Sequence, residues 1–351
     1  MLRHLLYPVS LVYGFVTAIR NTLYNTGAFR SRKFDIPVIC VGNITVGGTG
    51  KTPHTEYVTG LLKNEFRTAV LSRGYMRKTS GFIVASASSG ATEIGDEPAQ
   101  IKLKYPELTV AVDSDRINGI TRILEESPGT EVIVMDDGFQ HRRLTPGFTI
   151  LLTDYGRLMT RDHLLPYGRL RENVSNKRRA GVIVVTKTPP GISVLTRQQI
   201  RKEIDPLPGQ SLFFTSLIYG YPMPVFSETT GFNPGPKGVL LLTGIANPEP
   251  LRIHLGKSFS EILLLEFPDH HNYTENDLKK IQSAYNNLKS QEKCIITTEK
   301  DAVRLREFTN IAQNLKSSFY YIPVAVGFPN DDSKEFDNLI LEYVRKNKRN
   351  N

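Results

Sequence analysis

The stretch IPVICVGNITVGGTGKTP, residues 36–53, restricts the possible folds more than any other part of the chain. Its first half is apolar without alternation, as in a strand covered on both faces, which is characteristic of parallel sheets. Its second half crowds Gly47, Gly48 and Gly50 ahead of Lys51, and then Pro53 occurs where the first turn of a helix tolerates a missing N–H. A buried strand feeding a helix through a glycine turn needs parallel neighbours and covering helices. The runs that follow supply the neighbours: RTAVLSRG, LTVAVDSD, EVIVMDDG, FTILLTD and GVIVVTKT, separated by amphipathic stretches. The expectation is an α/β fold with a P-loop NTPase-like doubly wound sheet over residues 35–210.

After TKTPPGISV comes DPLPGQSLFFTSLIYGYPMPVF, where proline and glycine surround two short strand-like runs and suggest a hinge. A second α/β set follows in KGVLLLTGIANP, SEILLLEFPDH, a helix from Thr274 to about Lys289, KCIITTEKDAVRL and SFYYIPVAV. Residues 211–351 are therefore expected to form a smaller α/β domain closing over a cleft, with residues 1–34 as a separate amino-terminal segment. Cys40 and Cys294 both fall inside apolar runs, as buried thiols do.

The glycine turn reads as a phosphate cradle. Glycines let the backbone N–H groups close on phosphate oxygens, and a helix amino-terminus adds partial positive charge. The strict pattern G-x-x-x-x-G-K-[ST] places a glycine where this chain has Thr45. Thr45, Val46, Gly47, Gly48, Thr49 and Gly50 form the expected loop, Lys51 would bridge the β- and γ-phosphates, and the Thr52 hydroxyl would meet Mg²⁺. A phosphate loop also needs a carboxylate at a neighbouring strand end for the Mg²⁺ shell. EVIVMDDG supplies Asp136 and Asp137.

An ATPase, a GTPase or a kinase could carry these parts. Guanine reading is disfavoured, because VVTKT has Thr186 and Pro189 where the N-K-x-D motif needs asparagine and aspartate. A kinase needs a group beside the acceptor hydroxyl, and two loops offer one: IGDEPAQ with Asp96 and Glu97, and FPDHHNYT with Asp269, His270 and His271. GDEP also reads as a helix-capping turn, and paired histidines are often structural.

The formal net charge is +9, and residues 1–34 hold no acidic side chain while carrying Arg3, Arg20, Arg30, Arg32 and Lys33. The uncharged run LLYPVSLVYGFVTAI would span about 22 Å as a helix, short of the roughly 30 Å hydrocarbon core of a bilayer. No cleavage site of the small-x-small kind precedes the first strand. Arg3, Ser10, Gly14, Thr17 and Asn21 form a narrow polar stripe on an otherwise apolar helix. Two placements stay open: a helix in the membrane interface, or a helix packed on the core.

Beyond these readings, GNITVGGTGKTP, SRGY, GDEP, MDDGFQHRRL, LLPYGRLRE, LTGIANP, FPDHH and TTEKDAVRL, in this order, resemble the tetraacyldisaccharide 4'-kinases, the lipid A kinases of Gram-negative bacteria. The resemblance implies transfer of the ATP γ-phosphate, with Mg²⁺, to the 4'-hydroxyl of a tetraacylated glucosamine disaccharide 1-phosphate. It implies Asp96 as base, acting with His270 or His271, and Asp136 and Asp137 around the metal. Arg116, Gln140, His141 and Glu172 would line the site, with Arg116 meeting an anionic substrate. Tyr167 and Arg169 depart from the alanine and proline usual there, which bears on substrate contacts. The expected partners are the lipid A disaccharide precursor and an anionic membrane surface, at the cytoplasmic face of the inner membrane. No nucleic acid and no obligate protein partner are expected. The rival is a soluble P-loop ATPase driving a conformational switch on a protein partner.

Overall fold

The computed structural model describes residues 5–232, 235, 237–308 and 310–347; Arg3 and the end of the basic carboxy-terminal tail lie outside them. The strands are β1 (Val38–Asn43), β2 (Thr68–Ser72), β3 (Ile83–Val84), β4 (Thr109–Val112), β5 (Val132–Asp136), β6 (Phe148–Asp154), β7 (Val182–Thr186) and β8 (Ser211–Phe214). They continue as β9 (Ser216–Tyr219), β10 (Met223–Pro224), β11 (Gly238–Thr243), β12 (Glu261–Glu266), β13 (Lys293–Thr298), β14 (Phe319–Ile322) and β15 (Val324–Gly327). The helices are α1 (Tyr7–Asn25), α2 (Lys51–Leu62), α3 (Ala91–Ile94), α4 (Asp96–Lys104), α5 (Arg116–Glu126) and α6 (Val194–Ile204). The remainder are α7 (Glu249–Leu255), α8 (Glu275–Asn287), α9 (Glu299–Leu305), α10 (Gln313–Lys316) and α11 (Ser333–Asn347).

The first eight strands form one sheet in the order β3-β4-β2-β5-β1-β6-β7-β8, parallel except for the edge strand β3. All six residues of β1 are buried, as its unbroken apolar pattern requires. In the register Val41 faces Asp136, so the acidic end of β5 lies beside the strand that enters the phosphate loop. A second sheet, β10-β14-β13-β11-β12, builds the smaller lobe. Cys40 and Cys294 are buried free thiols, one in each sheet.

Sheet membership draws the lobes differently from the expected break at residue 210. Ser211–Phe214 is the edge strand of the large sheet, where Ser211 pairs with Val182. At the other end α11 returns to the first lobe, burying Phe336, Ile340 and Val344 in the same cluster as Val58 and Val70. Among the described residues the chain passes between the lobes in β9 and β15, paired antiparallel from Ser216–Gly327 to Tyr219–Val324. The stretch SFYYIPVAV is thus two strands on two sheets, divided at Pro323.

Helix α1 inverts the usual amphipathic arrangement. Its polar stripe faces the protein: Ser10 donates to the Leu164 carbonyl at 2.8 Å, and Asn21 donates to Glu172 at 3.0 Å. Gly14 is there for close approach, since a Cβ would sit 2.7 Å from Leu164. Tyr13 and Arg20 add bonds to the carbonyls of Arg171 and Gln140. Val9, Leu11, Val12, Phe15, Val16 and Ile19 are exposed. A helix packed on the core would bury these apolar residues, and this one turns them out. No described helix is long and apolar enough to cross a membrane.

Candidate active site

Two positive-φ glycines shape the phosphate loop, Gly47 at 108° and Gly50 at 82°, a region that side chains with a Cβ rarely adopt. Val46 N–H donates to the Arg169 carbonyl at 2.8 Å and Arg171 N–H to the Ile44 carbonyl at 2.7 Å. The segment LLPYGRLRE therefore runs against the entrance of the loop, at Thr45, where the strict motif has glycine. From the other side the end of β7 takes two loop carbonyls. Thr186 donates to the Thr49 carbonyl at 2.9 Å, and Lys187 donates to the Gly48 carbonyl and to Asp154. These bonds tie back two loop oxygens, and the Val46 and Thr49 N–H groups are spent on the Arg169 and Gly47 carbonyls, so the loop is held in shape from both sides. The sequence signals neither role, because VVTKT reads only as a degraded base-reading motif.

Lys51 and Thr52 open α2, with the Lys51 ammonium 3.6 Å from Asp137. Asp136 is buried and accepts from Thr55 at 3.0 Å. Burial, together with the nearby charges of Glu97 and Asp137, pushes the Asp136 carboxyl up to about 6. Burial acts on Asp137 too, but Lys51 and Arg171 outweigh it and hold that carboxyl below its usual range. Asp136, buried with Glu97 and Asp137 nearby, is the carboxyl at this strand end whose ionisation a divalent cation would favour. Among the described residues no group of three or more His, Cys, Asp or Glu forms a cage able to hold a metal. A hydroxyl and two carboxylates leaving room for phosphate oxygens and water suits Mg²⁺ better than a full protein cage.

Asp96 starts α4 and His270 lies in the loop after β12, on opposite lobes. His270 Nδ1 and Asp96 Oδ2 are 2.9 Å apart. Arg304, in the last turn of α9, donates to both Asp96 oxygens, through Nε at 2.5 Å and Nη2 at 2.8 Å. Burial would raise the Asp96 carboxyl; His270, Arg304 and Lys300 outweigh it and hold the group below the usual carboxylate range. His271 instead meets Asp277, at 2.9 Å, and stacks on Phe267. Asp277 already closes the capping box of α8 with Thr274, so His271 belongs to the support of its own lobe. Helix α4 is set against α2 by Gln100 and Lys104, which reach the buried Glu56 at 2.7 and 2.6 Å.

The remaining sequence-derived residues divide. Gln140 donates to the Asn43 carbonyl at 2.7 Å and accepts from Arg171 at 3.1 Å, beside the loop. With Arg20, Tyr24, Arg116, His141 and Arg142 it lines a cavity of about 300 Å³ under α1. Burial and the charges of Arg116 and Arg73 push His141 down to about 4, so it is a neutral imidazole. Arg116 departs from its expected role: it is buried, and its guanidinium is spent on the carbonyls of Asp113 and Asp136. In that position it fixes the end of β5, leaving Nε without a partner. Glu172 departs as well, since it is buried against Arg179 at 2.6 Å and Asn21, anchoring α1 rather than facing a ligand. Tyr167 packs edge-on against Tyr7 of α1. Arg304 was missed because nothing local in TTEKDAVRL shows a partner 208 residues away.

Comparisons with known proteins agree with one another. The model of the family described as tetraacyldisaccharide-1-P 4'-kinase matches residues 2–345. A tetraacyldisaccharide 4'-kinase of Phocaeicola vulgatus is 46% identical, covering 98% of this chain and 96% of that protein. One from Flavobacterium johnsoniae is 42% identical, covering 99% and 98%. A crystal structure described as the apo form of LpxK from Aquifex aeolicus, in complex with ATP, superposes with a TM-score of 0.76 at 28% identity over 98% of this chain and all of that one.

Proposed function

The chain belongs to the tetraacyldisaccharide-1-P 4'-kinase family, and from that premise we propose how its own residues divide the work. It is an ATP-dependent lipid A kinase, passing the γ-phosphate to the 4'-hydroxyl of a tetraacylated disaccharide 1-phosphate. A nucleotide-driven switch on a protein partner has no support from these relatives.

The loop from Thr45 to Gly50 holds the phosphates, with Lys51 released from Asp137 to bridge them. Thr52, Asp136 and Asp137 would hold Mg²⁺, which when bound would neutralise charge on the phosphoryl oxygens. The observation that carries the acceptor side is the Asp96–His270 pair, joined at 2.9 Å across the two lobes. An ionised carboxylate offers about four lone-pair sites. Arg304 and His270 occupy three of Asp96's, leaving one on Oδ1, while His270 Nε2, at the other end of the imidazole, lies 4.0 Å from Asp269. The hydroxyl proton passes to the open lone pair on Asp96 Oδ1, a carboxylate that is ionised at neutral pH before the transfer and is oriented by His270. The cavity under α1, lined by Gln140, His141 and arginines, is where the headgroup of the acceptor fits. The outward face of α1 and the exposed Arg30, Arg32 and Lys33 rest on an anionic membrane, which brings the enzyme to a substrate that diffuses in the bilayer.

The test is transfer from γ-labelled ATP to the tetraacylated disaccharide 1-phosphate presented in phosphatidylglycerol vesicles. Labelled lipid is expected from the wild-type protein. Asp96→Ala is expected to lower kcat by about 100-fold or more with a small change in ATP affinity. ATP hydrolysis without labelled lipid would overturn the acceptor assignment, and near-normal turnover by Asp96→Ala would remove that residue from the base.

A further inference from the structure

Arg304 grips two lobes with one side chain. It is 6% exposed, its fork closes on both oxygens of Asp96 in α4, and its third nitrogen donates to the His271 carbonyl. The residue between these two attachments is His270, held at φ 60°, a left-handed conformation unfavourable for a side chain with a Cβ. The other flank of His270 is held from the same helix, because Lys300 of α9 bonds Asp269 at 2.7 Å. Helix α9 therefore braces the His270 backbone on both sides while aiming a guanidinium at the partner of its ring. Thr298 caps this helix at the end of β13, so its origin is rigid.

We propose that Arg304 is a positioning residue that assembles the base pair: its fork orients the Asp96 carboxylate and its hold on the His271 carbonyl presents His270 Nδ1 to it. The pair then forms only when the second lobe is seated on the first, so proton removal is coupled to closure. The inference rests on the proposed role of the pair. Arg304 itself has all three nitrogens engaged by Asp96 and the His271 carbonyl.

The charged groups facing Asp96 are Arg304 and Lys300 from α9 and His270 from the loop after β12, with Glu97 beside it on α4. Removing Arg304 takes away two hydrogen bonds and a positive charge and leaves the burial. Asp96 then holds its proton to higher pH, so the acid limb of the kcat/KM profile moves upward.

The experiment measures kcat, the KM for ATP and the pH profile for Arg304→Met, Arg304→Lys and Asp96→Asn. For Arg304→Met we expect kcat to fall on the order of 100-fold, the size of a general base's contribution. The KM for ATP should stay within about twofold and the acid limb should rise by about one pH unit or more. Arg304→Lys keeps the charge but lacks the planar fork, so it restores the limb more than the rate. It also provides a folded variant should the methionine form prove unstable. Two results overturn the inference: wild-type kcat and pH profile in both Arg304 variants, or a fall in kcat that only tracks a loss of ATP affinity. Asp96→Asn separates the layers. If it is inactive while the Arg304 variants are normal, the base stands and the positioning role fails; if it is fully active, the base assignment itself fails.

Discussion

The outward face of α1 supports a quantitative experiment. Val12, Phe15 and Val16 are 64%, 67% and 58% exposed, on a helix whose polar residues point inward. Full burial of such a side chain contributes about 1.5–3 kcal/mol, so what each still leaves in water amounts to about 1–2 kcal/mol that a bilayer could recover. Replacing all three with serine removes about 3–6 kcal/mol of that transfer. At about 1.4 kcal/mol per factor of ten, vesicle partitioning should fall by at least about 100-fold. The assay is co-sedimentation with sucrose-loaded vesicles of phosphatidylglycerol and phosphatidylethanolamine, alongside circular dichroism and ATP binding, which should not change. Salt gives a second readout, because the contribution of about 1 kcal/mol from each of Arg30, Arg32 and Lys33 is screened while the apolar part is not. Partitioning within about threefold of wild type in the triple variant would refute the membrane face, and the exposed residues would need another explanation.

Other perturbations probe the interior. Lys187→Met frees the Gly48 carbonyl to turn into the phosphate cradle; losing a charged hydrogen bond of about 1.5–3 kcal/mol should raise the KM for ATP by at least about tenfold, with kcat little changed. Unchanged nucleotide affinity would remove that lock. Glu172→Ala strips Asn21 and Arg179 of their common partner, and limited proteolysis should then cleave within or just after α1, as it should not in the wild type. His54, between the Gly50 carbonyl and Thr215, is pushed down to about 4 by burial. The unfolded chain, with His near 6.5, binds that proton first, so stability present above about pH 6.5 declines as pH falls toward 4, by about 3 kcal/mol from this residue. His141 adds a decline of the same sign. Urea midpoints of His54→Asn should therefore vary less with pH than those of wild type, and parallel curves would contradict the assignment.

Much of the first lobe was legible because its strands are buried on both faces and so read as unbroken apolar runs, each ending in loop chemistry. The phosphate loop and Asp136 follow from that pattern directly. Boundaries in the second half were harder, because SLFF and SLIY look alike as short runs while one completes the large sheet and the other leaves it. The polar stripe of α1 was visible, but its direction was not, since periodicity identifies a face without saying what covers it. His270 and His271 are adjacent and chemically identical, and only the turn at φ 60° sends one to Asp96 and the other to Asp277. Arg116 and Glu172 stand in the right motifs, yet their burial gives them backbone and side-chain partners inside the protein.

The paired strands β9 and β15 also limit how the two lobes can move. A single connecting segment would let one lobe swivel, tilt and slide against the other. Two segments bonded edge to edge form a ribbon that flexes across its thin dimension and resists shear in its plane. Any closure of the lobes would thereby be reduced to something near one degree of freedom, a bend. Along such an arc a histidine carried on one lobe would return to the same spot opposite a carboxylate on the other.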